Sequence, residues 1–107
     1  MSLDITLTAV RPTTVYERNI THNLTEMADK AGLYTCMWCP EELDIKTAGD
    51  MIGFLENGIK ELLSNPEYYK TFNPANGWGS YEGFVVAVGE YLQACKDNPD
   101  AEISIWR

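Results

Sequence analysis

The sequence predicts an α+β fold: a small antiparallel sheet formed by the N- and C-terminal strands, packed against about three helices. Apolar residues alternate with polar ones at both ends of the chain, and between the ends they recur at helical spacing. A helix with one apolar stripe has to cover something, and a sheet with its neighbouring helices is the apolar surface on offer. The 107 residues read as a single domain, 1–107, with no repeat, low-complexity tract or interdomain linker.

At the N-terminus, "LDITLTAV" places Leu3, Ile5, Leu7 and Ala9 in one phase and Asp4, Thr6 and Thr8 in the other, a strand with one buried face. Pro12 is expected to end or edge it. The helix that follows is predicted over about 21–31, with Leu24, Met27, Ala28 and Ala31 on one stripe and Gly32 at its C-terminal end. In it, Asn23 and Glu26 have the spacing of a capping box. Residues 33–39, "LYTCMWC", are β-prone and are expected to form a third strand or an irregular extended piece. Met51, Ile52, Leu55, Ile59, Leu62 and Leu63 form a longer stripe, opened by Thr47 with Asp50 and closed by "SNP" at 64–66, where Pro66 starts a further helical turn. The last helix carries Tyr81, Phe84, Val85, Val88, Tyr91, Leu92 and Cys95, with Ser80 as N-cap and "DNPD" as the stop. "AEISIW" then repeats the strand pattern, with Ala101, Ile103 and Ile105 in phase against Glu102, Ser104 and Trp106.

Sixteen acidic residues against eight basic ones leave a net charge of −8, with no basic stripe. Nucleic-acid backbones and anionic membrane surfaces attract the opposite balance, so neither is an expected partner. No segment approaches the roughly 18 continuous apolar residues of a membrane span, and "MSLDITLTAV" lacks the pattern of a secretory signal. A soluble protein of the cytoplasm is expected, with its three cysteines reduced. The acidity itself has two readings: solubility, or a surface complementary to a partner's basic groove.

Cys36 and Cys39 have the spacing of half a zinc site. The remaining soft or imidazole ligands are His22 and Cys95, and Cys95 lies on the apolar stripe of its helix. Pro40 directly after Cys39 also denies the pair the helix N-terminus that a redox dithiol uses. No metal and no cofactor are expected.

Two segments are richer in polar and aromatic groups than helix capping requires: "NITHN" at 19–23 and "NGWGSYE" at 76–82. The first holds Asn19, Thr21, Asn23 and His22, the one side chain whose ordinary pKa lies near neutrality. Its two N-x-T sequons read as capping chemistry rather than glycosylation sites. In the second, Gly77 and Gly79 allow a sharp turn that turns Trp78 either back over the core as a plug or outward into a site with Asn76, Tyr81 and Glu82.

"NITHNLTEMADKAGLY" at 19–34, "MWCPEE" at 37–42 and "FNPANGWGSYEGFVVAVGEYLQAC" at 72–95, followed by "PDAEISI", resemble a family of small uncharacterised proteins of bacteriophages and prophage-bearing bacteria. The resemblance covers most of the chain and implies a setting, the cytoplasm of a bacterial host, but no activity. The second motif resembles "LWRPEE", so Cys39 stands where the pattern has arginine, which counts against a metal reading. "TAVRPTTVY" lengthens the N-terminal strand beyond the pattern.

The expected function is that of an acidic, non-enzymatic accessory protein that binds a host protein or a small polar ligand through Asn19, Thr21, His22, Asn23, Asn76, Trp78, Tyr81 and Glu82. One alternative is a small hydrolase or transferase with His22 and Glu82 as acid and base. The other is a structural or assembly component, which would present a flat apolar helix face. Homo-oligomerisation is left open.

Overall fold

A computed structural model describes residues 2–9 and 14–107; the expectation for Pro12 falls outside them. The predicted terminal strands form and pair: β1 (Ser2–Thr8) runs antiparallel to β3 (Glu102–Trp106), with Ile5 opposite Ile105 and Leu7 opposite Ile103. A third strand, β2 (Thr14–Thr21), lies on the other side of β1, so the order is β2-β1-β3. Directly opposed residues share a face. Leu3, Ile5 and Leu7 therefore point to the core together with Ile20, Arg18 and Tyr16 of β2. Asp4, Thr6, Glu17, Asn19, Ser104 and Trp106 occupy the opposite face.

β2 was not expected, and its composition explains why. At the inward positions only Ile20 is fully buried; Arg18, between Tyr16 and Ile20, breaks the apolar alternation. The arginine is accommodated because its guanidinium pairs with Glu90, 72 residues on.

Helical structure starts with a 3-10 turn at His22–Leu24, followed by α1 (Thr25–Lys30). The predicted Asn23–Glu26 capping box does not form. Thr21 Oγ1 accepts from the Asn23 amide instead, and α1 has no side-chain cap of its own. α1 ends as expected at Gly32, in a Schellman arrangement: Gly32 N–H donates to the Asp29 carbonyl and Leu33 N–H to that of Ala28.

Residues 34–38 are not extended. They form the short helix α2 (Tyr34–Trp38), followed by a 3-10 turn at Pro40–Leu43. Cys36, Met37 and Trp38 are all buried in sequence, so the segment shows no one-sided period from which a helix could be read. Tyr34 stacks on Trp38, and Arg107 ties the end of the chain to this region by donating to the Trp38 carbonyl and to Glu41.

α3 (Ala48–Ser64) and α5 (Tyr81–Asp97) are the two long helices, joined by α4 (Pro66–Lys70) and an irregular loop. Both begin at the predicted caps. Thr47 and Asp50 form the reciprocal capping box, and Ser80 Oγ accepts from the Gly83 amide. Inward-facing Met51, Leu55 and Leu62 of α3 meet Phe84, Val88 and Tyr91 of α5 in one core with Leu3, Ile5 and Leu7. The loop entering α3 also covers part of the free edge of β3, where Ile103 N–H donates to the Lys46 carbonyl. No helix among the described residues is long and apolar enough to cross a membrane.

Candidate binding surface

The two segments singled out in the sequence are brought together, although 55 residues separate the groups that join them. Asn23 Nδ2 donates to the Trp78 carbonyl at 3.3 Å, and Trp78 N–H donates to Asn76 Oδ1 at 3.0 Å. The peptide groups on both sides of the indole are therefore fixed. Gly77 and Gly79 have φ of 77° and 104°, the left-handed region that favours glycine. At Gly79 space adds a second constraint: a Cβ there would stand 2.9 Å from Thr21 Cγ2 and 3.1 Å from Leu24 Cγ. The loop is seated backbone-first on the end of β2 and the turn that follows it.

The indole does not follow its backbone inward. Trp78 is 73% exposed, so the core-plug arrangement is not the one adopted. It borders neither the hollow between Asp4 and Trp106 nor the one between Lys46 and Ile103. An exposed loop carries it.

The remaining candidates separate. Tyr81 is 6% exposed and its hydroxyl donates to the Leu62 carbonyl at 2.7 Å, making it a link between α5 and α3 rather than a lining residue. Its amide donates to Asn73 Oδ1, which fixes the start of α5. Glu82 is on the surface and pairs with Lys70 at 3.8 Å, while the Lys70 ammonium lies 5.8 Å from the centre of the Tyr81 ring. Asn19 faces the open side of the sheet, where its amide nitrogen donates to Ser2 Oγ and Asp4 Oδ1, both at 2.6 Å. His22 leans on Trp38 with ring centres 6.4 Å apart, and its Nε2 is enclosed with no hydrogen-bond partner among the described residues. Neither His22 nor Glu82 thus contacts the other through a hydrogen bond: the imidazole Nε2 has no carboxylate on it, and the carboxylate engages a lysine.

The thiols are placed by packing. Cys36 and Cys95 are in the core, and burial pushes each thiol from about 9 up to about 12. Cys39 is half-buried, and its thiol is also raised, by desolvation first and then by a hydrogen bond with Glu42. Among the described residues no group of three or more His, Cys, Asp or Glu side chains could hold a metal ion. Thiolate is the reactive form, so the native protein is expected to react slowly with iodoacetamide near pH 8, and at Cys39 alone. Mass spectrometry of the alkylated protein checks this, with all three sites modified once the chain is unfolded.

No protein-family model, curated protein or solved structure matches the chain. A tryptophan between two glycines admits both a core plug and an exposed indole, and the exposed one is adopted. The exposure of a second indole, Trp106 at 74%, is legible from strand phase alone, because it falls in the polar phase of β3.

Proposed function

We propose that this protein is a non-enzymatic binding protein that docks a host protein, with Trp78 as the anchor and Asn23, Asn76 and Gly79 as the groups that hold the anchor in place. The observation that carries this reading is the contrast at Trp78 between a backbone fixed on both sides and a side chain left in water. Exposing an indole forfeits a large burial gain, and a rigid loop lowers the entropy lost when that indole is taken up by a partner. Tryptophan is also the residue type most enriched among interface hot spots.

A protein partner is favoured over a small polar ligand by shape. Small ligands are held in concave sites that cover most of their surface, whereas an indole left 73% exposed suits insertion into a pocket on the partner. A phage or prophage product acting in a bacterial cytoplasm belongs to the same proposal, and the resemblance stated above is its support. The assembly reading has less behind it: Leu63 of α3 and Val86 of α5 are exposed apolar side chains on the helices, but both are less exposed than either surface indole.

The test is affinity capture from host-like lysate by the wild type and by Trp78→Ala, with quantitative mass spectrometry of the retained proteins. A host protein held by the wild type is expected to be lost by about 30-fold or more in the variant, the effect of a single hot spot. The variant should keep the wild-type unfolding free energy within about 0.5 kcal/mol, because the side chain touches little. Equal retention by the two proteins would sink the assignment of Trp78 as anchor.

A further inference from the structure

The open face of the sheet carries a second feature, one that the Trp78 reading does not use. An open hollow of about 430 Å³ lies on it, bordered by Asp4, Thr6, Glu17, Asn19 and Trp106. The pairing register explains how these five residues meet. Trp106 and Asn19 both stand opposite Asp4, one on each side, so that indole, carboxylate and amide form a single cross-strand row; Thr6 and Glu17 are opposed in the next row. Side chains in such a row are about 5 Å apart at Cβ.

The chemistry of the row selects its guest. Both Asn19 contacts use the amide nitrogen, which leaves Oδ1 as an acceptor on a residue that borders the hollow. Asp4 accepts that nitrogen on Oδ1, which leaves Oδ2. Glu17 adds a second carboxylate. Arg18 also borders the hollow, but its guanidinium is turned to Glu90 on the inner side of the sheet. Two carboxylates and a carbonyl oxygen repel an anion and are wasted on an apolar guest. A planar organic cation satisfies all of the groups together: it can stack on the exposed indole while its N–H groups reach the oxygens beside the ring.

We infer that the hollow between Trp106 and Glu17 is a seat for an arginine side chain of a partner protein, presented on an extended basic segment. Charge complementarity supports this occupant over a neutral one, since the whole chain carries −8. The openness of the face supports a segment of protein over an enclosed small molecule, because a side chain entering from a bound strand needs cover on one side only. The inference goes beyond the Trp78 reading and does not depend on it.

The test uses the full chain and a blocked pentapeptide, acetyl-Gly-Arg-Gly-Arg-Gly-amide, with a citrulline analogue as the uncharged control. Two-dimensional ¹H–¹⁵N NMR follows the Nε1–H resonances of the three tryptophans at low ionic strength, up to millimolar peptide. The arginine peptide is expected to shift Trp106 saturably while leaving the Trp38 signal in place, and the citrulline peptide to leave both in place. Trp106→Ala, followed through the backbone amides of β1 and β3, should weaken binding about threefold or more. The Asp4→Asn, Glu17→Gln double variant should weaken it about fivefold or more. All of these positions are on the exposed face, so folding survives. Trp78→Ala should bind the peptide as the wild type does, which separates this seat from the anchor proposed above. Three results would each overturn the inference: no saturable shift at Trp106, an equal response to citrulline, or unchanged affinity in both the Trp106 and the carboxylate variants.

Discussion

Raised from neutrality, the protein is expected to lose stability from about pH 9 and to unfold cooperatively before pH 12. The first groups responsible are the pair of thiols in the core, whose ordinary value lies below that of the buried Tyr91, itself raised well above its ordinary value by burial. Cys36 and Cys95 ionise near 9 in an unfolded chain and are pushed up to about 12 in the folded one, because a buried thiolate has no water and no compensating cation. Both shifts are upward, so the folded state binds the proton more tightly than the unfolded state does. The contribution is fully present below pH 9 and is lost as pH climbs toward 12. Each thiol then removes about 1.4 kcal/mol per pH unit, so the two together remove about 5 kcal/mol by pH 11. A domain of this size has about 5–15 kcal/mol to lose. Tyr16, also pushed up to about 12 by burial, adds a smaller term because it is half-buried beside Arg18. Far-UV circular dichroism against pH measures the midpoint. In a Cys36→Ala, Cys95→Ala variant the midpoint should move to higher pH even though the protein is less stable at pH 7. An unchanged or lower midpoint would show that the thiols do not govern alkaline unfolding.

The second large effect is expected at Gly58, in the middle of α3. A Cβ at this position would lie 2.1 Å from Leu33 Cδ2 and 2.3 Å from Leu33 Cγ, and Leu33 is wholly buried. In an exposed helix, Gly→Ala would stabilise by about 1 kcal/mol. Here it should destabilise, because the whole Leu33 side chain, buried in the core, would have to shift. Overpacking of this severity is expected to outweigh the helix gain and leave a net loss of about 2–3 kcal/mol. For a chain of about 100 residues this corresponds to a fall in Tm of about 10–20 °C. Leu33→Ala supplies the control. By itself it opens a cavity and costs about 2–5 kcal/mol. Combined with Gly58→Ala it should be more stable than the sum of the single effects by at least about 1 kcal/mol, since each change relieves the other. Strict additivity in thermal or urea unfolding would mean that the two residues are not in steric competition.

The Leu33–Gly58 contact also locates what could not be read from the chain. Leu33 sits in a segment that reads as β-prone, "LYTCMWC", and its neighbours fold instead into α2. Propensity is a local quantity of a few tenths of a kcal/mol per residue, and burying Cys36, Met37 and Trp38 together overrides it. The same holds for β2, where an arginine in the inward phase looks like a polar loop until Glu90 of α5 arrives to pair with it.

The elements whose signals are local could be read directly from the chain. The alternation of β1 and β3, the stripes of α3 and α5, the Thr47–Asp50 and Ser80 caps and the end of α1 at Gly32 each act within a few residues, through side-chain period or a single hydrogen bond. The exposure of Trp106 belongs with them, since strand alternation alone puts it outward. The rest of the surface follows from packing between distant segments. That Trp38 is buried while Trp78 is not, that Tyr81 is spent on the Leu62 carbonyl, and that Asn23 holds the Trp78 carbonyl from 55 residues away all depend on which elements pack together. No local rule specifies those neighbours, because burial and long-range hydrogen bonds are properties of the assembled layers and not of the segments that compose them.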